Sequence, residues 1–250
     1  MATSALEADT IGYTLNKSRY LNVTNRCGML RCAFCPKFNG SWTVSEYNMR
    51  LRHNPTVEEL VEAAGEPGEY DEVVFCGMGE STTRLDVMLE VARRLRAKGI
   101  TKLRLNTNGL ANQMYGRDVA PEIAAVIPTI SVSLNAQDEE TYNRHCRPRY
   151  PGAYESMLGF VKSAHEAGAD VTVTAVDGLP GVDIAACDAI ARKLGVKFRS
   201  FPSFFSVFNC EKVLFSCSVI SNSLLPHGLQ HAKLPCPSQS PGVCSNPLSR

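Results

Sequence analysis

The sequence lacks long apolar segments and any strong excess of one charge. No run approaches the roughly 18 apolar residues that a membrane-spanning helix needs. Lysine and arginine number 26 against 25 aspartate and glutamate, a formal net charge of +1. This balance indicates neither a nucleic acid nor an anionic membrane as a partner. The first residues, MATSALEADTIG, contain neither a basic start nor an apolar stretch, which predicts no secretory signal and a cytoplasmic location.

Cysteine is abundant, with 10 among 250 residues. Without an export signal, a close group of cysteines favours a metal site over disulfides. Cys27, Cys32 and Cys35 form such a group within one short segment. A structural zinc site usually takes a closed cage of four ligands, and residues 19–199 contain no second close cysteine pair. A zinc site with His53 as the fourth ligand therefore stays open as an alternative.

Between about residues 19 and 199, short β-branched runs alternate with helical periodicity. Strands are predicted at 20–24, 72–76, 102–106, 129–134, 171–176 and 196–199. Helices are predicted at 57–64, 85–97, 121–126, 154–167 and 184–194, the first behind a capping box of Thr56 and Glu59. This alternation indicates parallel strands with right-handed crossovers. Six repeats are too few for a complete eight-fold barrel, which leaves an open, partial barrel or a doubly wound sheet.

Both arrangements place chemistry at the carboxyl ends of the strands. The cysteine segment follows the first predicted strand. The next three strands are followed by glycines, a carboxylate, amides and a hydroxyl: Gly77, Gly79 and Glu80, then Asn106 and Asn108, then Ser133 and Asn135. Glycines bring the backbone close to a ligand, and Glu80 offers a carboxylate to it. Ordinary turns are the alternative reading of the Gly and Asn-Gly segments.

The cysteine segment reads Cys27-Gly-Met-Leu-Arg-Cys32-Ala-Phe-Cys35. It resembles the loop of the radical S-adenosylmethionine (SAM) superfamily, usually C-x3-C-x-aromatic-C, with Phe34 in the aromatic position. The segments YLNVTNRC, FCPKFNGSW, EVVFCGMGES, LNTNGLAN and SVSLNAQDEETYNR resemble the radical SAM proteins associated with TatD-type nucleases. One departure is that four residues, rather than three, separate Cys27 from Cys32. An outward bulge of the extra residue would leave the thiolates able to converge.

The resemblance covers about residues 19–199 and implies an α/β fold, a partial (β/α)6 TIM-like barrel. It implies a [4Fe–4S] cluster on Cys27, Cys32 and Cys35, with one iron left open for SAM. The cosubstrate contacts that it implies are Phe34, Gly77, Gly79, Glu80, Asn106, Asn108, Ser133 and Asn135. The implied reaction is reductive cleavage of SAM to a 5′-deoxyadenosyl radical, which abstracts hydrogen from an unknown substrate. A one-electron donor of the flavodoxin or ferredoxin type is the implied partner.

Several residues near these segments have two readings each. Arg144 and Arg147 suit either an anion clamp or a solvated helix end. Cys146 suits a radical relay or simple packing, and Trp42 with Tyr47 suits a cover over the site or packing. Gly181, Val182 and Asp183 suit an adenine contact or a helix cap by Asp183.

The composition changes sharply at residue 200. Residues 200–250 contain eleven serines but a single acidic residue, Glu211, which predicts a poorly ordered tail. The tail resembles a translated mammalian short interspersed repeat, and it implies a chimeric chain whose enzyme body ends near residue 199. The predicted domains are therefore an N-terminal extension (1–18), a radical SAM core (19–199) and an unrelated tail (200–250). An inactive chimeric product is the alternative to an active enzyme.

Overall fold

The computed structural model describes residues 8–202, so residues 1–7 and the tail after residue 202 lie outside the described range. The strands in this range are β1 (Gly12–Leu15), β2 (Ser18–Leu21), β3 (Thr43–Val44), β4 (Tyr47–Asn48), β5 (Glu72–Phe75), β6 (Leu103–Thr107), β7 (Thr129–Ser133), β8 (Asp170–Asp177) and β9 (Lys197–Pro202). The helices are α1 (Val57–Ala63), α2 (Leu85–Lys98), α3 (Ala111–Tyr115), α4 (Ala120–Val126), α5 (Glu139–Cys146), α6 (Ala153–Glu166) and α7 (Ile184–Leu194). None of these helices is long and apolar enough to cross a membrane.

The order of the strands decides between the two arrangements that the sequence left open. The main sheet runs β1-β2-β5-β6-β7-β8-β9, and the strands from β2 onward pair in parallel. A doubly wound sheet reverses its order at a switch point, whereas this sheet keeps chain order throughout. Its described edges, β1 and β9, do not pair with each other. The fold is an open, partial (β/α)6 barrel, as predicted.

The element boundaries follow local signals closely where those signals are strong. Helix α7 spans the predicted residues, and the capping box of Thr56 and Glu59 at the start of α1 is present with both hydrogen bonds. Strand β1 lies within the predicted extension 1–18 and pairs antiparallel with β2. Strand β9 continues to Pro202, past the predicted end of the core. Helix α5 was not predicted, because its sequence EETYNRHC has no apolar stripe; Asp138 caps it by accepting from the Thr141 N–H.

One face of the sheet is apolar and packs against the helices. Alternate residues of each strand project to this face, and they join a single core with the inner sides of α2, α4 and α6. The strand residues in this core are fully or almost fully buried: Leu21, Val73, Phe75, Leu103, Leu105, Ile130, Val132, Val171 and Val173. Each such side chain contributes about 1.5–3 kcal/mol on burial, so this face fixes the register of the strands.

The opposite, concave face is the inside of the open barrel. At β2 and β5 it is apolar, and the β3–β4 hairpin covers it through Val44 and nearby Met49, which pack with Tyr20 and Val74. From β6 to β8 it is polar yet buried, with Arg104, Asn106, Ser131 and Thr174. A helix-packing face would not carry such residues, so the concave side is the part of the fold that is built to contact something polar.

Candidate functional site

The cysteine segment is held against the end of α5. The N–H of Ala33 donates to the carbonyl of His145 at 2.7 Å, and the N–H of Leu30 donates to the carbonyl of Arg147 at 2.9 Å. The N–H of Arg149 returns a bond of 3.1 Å to the carbonyl of Gly28. These bonds make the loop a short strand-like ribbon beside residues 145–149, so its cysteines have a defined position although the loop contains little regular structure.

All three cysteines of this segment line one cavity at the carboxyl ends of the strands. The cavity has about 950 Å³ of empty space, including the part that is open to solvent. Every site residue predicted from the sequence lines it: Cys27, Cys32, Cys35, Phe34, Gly77, Gly79, Glu80, Asn106, Asn108, Ser133 and Asn135. The structure therefore brings together four loops that are distant in sequence.

The surroundings of the three thiols favour their protonated forms when no metal is present. Burial raises the pKa of Cys27 to about 12. A hydrogen bond with Cys146, together with burial, raises the pKa of Cys32 well above its usual value, and burial raises that of Cys35. Metal binding requires the thiolates, so a bound metal would displace three protons from these cysteines.

Glu80 is a buried carboxylate that the protein itself surrounds with donors. Its Oε1 accepts from the Thr82 N–H at 3.2 Å, the Thr82 hydroxyl at 2.8 Å and the Thr107 hydroxyl at 2.9 Å. Its Oε2 accepts from the Asn108 N–H at 2.8 Å. Burial raises the pKa of Glu80 despite these bonds. Oε2 has one further lone pair, so a single hydrogen-bond donor in the cavity would satisfy the remaining acceptor site of this oxygen.

The two glycines before Glu80 are required by contacts within the protein. A Cβ on Gly79 would lie 2.0 Å from the carbonyl oxygen of Thr24 and 2.6 Å from that of Arg26. A Cβ on Gly77 would lie 2.1 Å from the side-chain oxygen of Asn22. The loop after β5 therefore packs backbone to backbone against the segment that leads into the cysteines, which fixes the carboxylate relative to the thiols.

The side chains of Asn106 and Asn108, at the end of β6, line the cavity and also form hydrogen bonds within the protein. Asn108 accepts from the Leu110 N–H at 3.0 Å, which shapes the turn, and its Nδ2 points to the Cys27 sulfur at 4.0 Å. Asn106 is buried and accepts from Arg104 at 2.9 Å. Asn108 thus closes the turn, which is one of the two readings of the sequence, and its side chain also faces Cys27 in the cavity.

Two further cysteines, Cys76 and Cys146, line the same cavity, and Cys146 is in contact with the cysteine segment. The Cys32 thiol donates to the Cys146 carbonyl at 3.3 Å, and Asn135 Nδ2 donates to the Cys146 sulfur at 3.6 Å. Asn135 adopts a left-handed conformation with φ 61°, which Asn tolerates better than most residues. The sequence showed Cys146 as isolated, because its proximity to Cys32 depends on α5 folding back over the loop.

Other residues considered from the sequence lie outside this cavity. Arg144 is exposed and pairs with Glu140 at 2.8 Å, and Asp183 caps α7 through a bond of 3.0 Å from the Ala186 N–H. Trp42 and Tyr47 pack on the core cluster beneath the hairpin. Each of the four therefore has its non-catalytic role: Arg144 lies at a solvated helix end, Asp183 caps a helix, and Trp42 and Tyr47 pack against the core.

The zinc alternative fails on geometry within residues 8–202. His53 binds Asp9 and Glu59, each at 3.0 Å, and is absent from the residues that line the cavity. In this range no group of three or more His, Cys, Asp or Glu side chains is arranged to hold one metal ion. An iron–sulfur cluster has a different requirement, since each thiolate binds a separate iron.

The cavity fits such a cluster by its donor set. Thiolates are the ligands that iron–sulfur clusters take, and three cysteine thiols face this cavity together. The buried hydroxyl of Tyr142 has no hydrogen-bond partner in the described structure, and its pKa is raised by burial and by the neighbouring Cys146, Cys32 and Cys27. Tyr142 is not among the residues that line the cavity, so the fit of the cavity to a cluster rests on the three thiols.

The sequence of this chain is similar to those of known proteins. A family model described as the radical SAM superfamily matches residues 21–194. A probable dual-specificity RNA methyltransferase RlmN from Frankia alni is 32% identical over 181 residues, 67% of this chain and 42% of the relative. A GTP 3′,8-cyclase from Peptoclostridium acidaminophilum is 28% identical over 171 residues, 67% of this chain and 48% of the relative. The chain therefore spans less than half the length of these two curated relatives, both of which are enzymes.

Solved structures show the same fold. Streptococcus suis SuiB bound to S-adenosylmethionine superposes with a TM-score of 0.51 at 16% identity, covering 74% of this chain and 38% of that one. HydG, a maturase of the [FeFe]-hydrogenase, gives a TM-score of 0.50 at 18% identity, covering 74% and 41%. At these identities the likeness concerns the fold alone.

The family match extends from the last residue of β2 to the last residue of α7. It contains the cysteine segment and the three turns that meet it in the cavity. Enzymes of this family use a [4Fe–4S] cluster and S-adenosylmethionine, which confirms the predicted cofactors at the level of the family. This chain belongs to the radical SAM superfamily.

Proposed function

We propose that this chain binds a [4Fe–4S] cluster through Cys27, Cys32 and Cys35 and cleaves S-adenosylmethionine to start radical chemistry on a substrate that is still to be identified. The observation that carries the proposal is the convergence of three cysteines, Glu80 and the amides of Asn108 and Asn135 on one cavity. When bound and reduced, the cluster supplies the electron that splits SAM into methionine and a 5′-deoxyadenosyl radical, which abstracts hydrogen.

The chain's own residues position and enclose that chemistry. Gly77 and Gly79 hold the loop after β5 against the cysteine segment. The Oε2 atom of Glu80 has one free acceptor site, which suits one N–H of the ammonium group of SAM. The half-buried ring of Phe34 lines the cavity beside Cys32 and Cys35, where it limits access of water. Ser133 and Asn135 offer polar atoms at the end of β7 for the rest of the cosubstrate.

The test is product formation by the anaerobically reconstituted full chain with SAM and dithionite. We expect 5′-deoxyadenosine and methionine in equal amounts. Cys32→Ala is expected to reduce both to background, whereas Cys187→Ala is the matched control, because Cys187 is buried in the core on α7 and does not line the cavity. A wild-type protein that contains its cluster and forms no 5′-deoxyadenosine above background would contradict the proposal.

Within the family, we propose a place near the radical SAM proteins associated with TatD-type nucleases. Five segments support it, among them FCPKFNGSW and SVSLNAQDEETYNR, and each of the five contributes at least one residue to the lining of the cavity. We also propose that residues after 202 are unrelated to the core, on the basis of their resemblance to a translated mammalian short interspersed repeat. A chain that ends at Pro202 is then expected to load iron and cleave SAM as the full chain does; loss of soluble protein would argue against this.

A further inference from the structure

The outer side of the cysteine loop carries positive charge without any negative charge. Residues 24–38 and 145–150, which the loop hydrogen bonds join, contain no aspartate or glutamate. They contain five cations, and four of these are exposed: Arg26, Arg31, Arg147 and Arg149, with Lys37 half-buried. None of the five forms an ion pair with another residue in the part of the chain that the structure describes.

An exposed leucine lies among these cations. The residue Leu30 is 54% exposed, and the only other large hydrophobic residue that is prominently exposed among residues 8–202 is Tyr115 at 38%. The backbone of Leu30 is fixed by the hydrogen bond from its N–H to the Arg147 carbonyl. It lies within the four-residue interval that distinguishes this loop from the usual three-residue one. The longer interval therefore presents an apolar side chain to solvent at a defined position.

A groove beside Leu30 reaches the wall of the cysteine cavity. The groove has about 840 Å³ of empty space, part of it open to solvent, and its charged lining residues are Arg26, Lys37 and Arg149. Cys27 lines both this groove and the cavity on its inner side. A molecule that docks in the groove is thus separated from the cavity by the wall that Cys27 forms together with Met29, Lys37 and Phe38.

We propose that this surface, defined by Leu30, Arg26, Arg31, Arg147 and Arg149, is the docking site of an acidic one-electron donor protein. The inference rests on the proposed function, which needs one electron for each SAM cleaved: the donor is oxidised by one electron, and the group held by the cysteines is reduced by one. A positive rim attracts a negative partner and increases the association rate. An apolar centre within a charged rim is the usual anatomy of a protein–protein interface.

A single-stranded nucleic acid is the competing occupant of a basic groove. Nucleic-acid grooves combine cations with aromatic rings on which bases stack. Here the two aromatic residues of the groove, Phe38 and Tyr150, are half-buried, while the most exposed apolar group is the aliphatic Leu30. The overall charge of +1 adds no long-range attraction for a polyanion. These features favour a protein with an acidic, partly apolar surface.

The experiment measures binding of a flavodoxin and of a plant-type ferredoxin, both acidic, to the cluster-loaded full chain by a biosensor. Arg31→Glu/Arg149→Glu is expected to weaken binding at least tenfold at low salt. The difference should shrink at 1 M salt, where the Debye length is about 3 Å. Leu30→Ser is expected to weaken binding at both salt concentrations. Arg96→Glu/Lys193→Glu is the control with the same charge change, since both residues are exposed on other helices, and it should bind as wild type does.

Iron content and circular dichroism of each variant establish that it folds and holds its cluster. Equal affinity of Arg31→Glu/Arg149→Glu and its control for both donors would overturn the proposal, as would tighter binding of a 20-nucleotide RNA than of either donor. Failure of the proposed function can be told apart from failure of the docking proposal. SAM cleavage is measured independently of donor binding, as the 5′-deoxyadenosine formed with dithionite as the reductant. A chain that binds the donors through this surface but cleaves no SAM would fail only in the proposed reaction.

Discussion

The carboxylate of Glu80 accepts a hydrogen bond from the backbone N–H of Asn108 at 2.8 Å, which ties the turn after β5 to the turn after β6. Thr107 adds a second link between the same turns, from its hydroxyl to Oε1 at 2.9 Å. The Asn108 side chain in turn faces Cys27. The carboxylate therefore does more than offer an acceptor to a ligand, because it also sets the position of a residue that faces a predicted cluster ligand.

This arrangement predicts the effect of Glu80→Gln. Glutamine has one oxygen in place of two, so its NH₂ group faces either the Asn108 N–H or the donors of Thr82 and Thr107. A buried donor without an acceptor costs about 1–3 kcal/mol, so we expect a lower midpoint of thermal unfolding and weaker binding of SAM to the cluster-loaded protein. The exposed Glu62 on α1 provides the control, Glu62→Gln. Weaker SAM binding with unchanged stability would show that Glu80 acts only on the cosubstrate.

The close approach at Gly79 predicts a strong steric effect. In Gly79→Ala the added methyl group lies 2.0 Å from the Thr24 carbonyl oxygen, and backbone must move to accept it. We expect a loss of stability of about 3 kcal/mol, at the upper end of overpacking effects, measured by urea unfolding. Gly159→Ala is the opposite control, because Gly159 lies within α6 with open space around it. That substitution is expected to stabilise the protein by up to about 1 kcal/mol.

The ion pair between Glu72 and Arg104 predicts how stability depends on pH. Burial alone would raise the pKa of Glu72, but two hydrogen bonds of 2.7 and 3.0 Å and the charge of Arg104 outweigh it, so the pKa is lowered. A lowered carboxyl pKa contributes stability above the unfolded value of about 4.3, and this is lost as pH falls through the folded value. Glu72→Gln should therefore cost about 3 kcal/mol at pH 7 and less at pH 3.

Urea unfolding at both pH values measures this difference. Asp170→Asn is the matched control, since Asp170 pairs with Lys197 while both side chains are more than half exposed, and an exposed pair contributes less than about 1 kcal/mol. A loss for Glu72→Gln that is the same at pH 3 and pH 7 would mean that packing, rather than the charge of Glu72, stabilises the concave face.

The sequence was sufficient for the parallel core and for the loops that form the cavity. Apolar periodicity located α2 and α7 almost to the residue, because one buried stripe determines each helix. The carboxyl-end rule then placed Glu80 and Asn108 on the same rim as the cysteines. The sequence did not show that Gly79 is needed for the contact with Thr24, because that contact joins two loops whose separation only the folded chain defines.

Helices and strands without a local periodic pattern could not be predicted from the sequence. Helix α5 is short and polar and depends on its Asp138 cap. The hairpin strands β3 and β4 have two residues each and pack through Val44 onto the sheet. The cavity position of Cys146 and the unpartnered hydroxyl of Tyr142 both depend on α5, so no pattern around either residue could have revealed them.

The last prediction concerns which of the five cavity cysteines bind iron. We expect Cys27→Ala, Cys32→Ala and Cys35→Ala each to prevent full loading, and Cys146→Ala to retain about four iron atoms per chain. Cys146 lies on α5, where it is fully buried and receives a hydrogen bond from Asn135, whereas Cys27, Cys32 and Cys35 are half-buried on the loop. Iron analysis and visible absorption after anaerobic reconstitution measure the loading, with Cys187→Ala as the control. Loss of iron in Cys146→Ala equal to that in Cys32→Ala would indicate four thiolate ligands. No iron would then be left open to bind SAM, and this result would contradict the proposed cleavage of SAM.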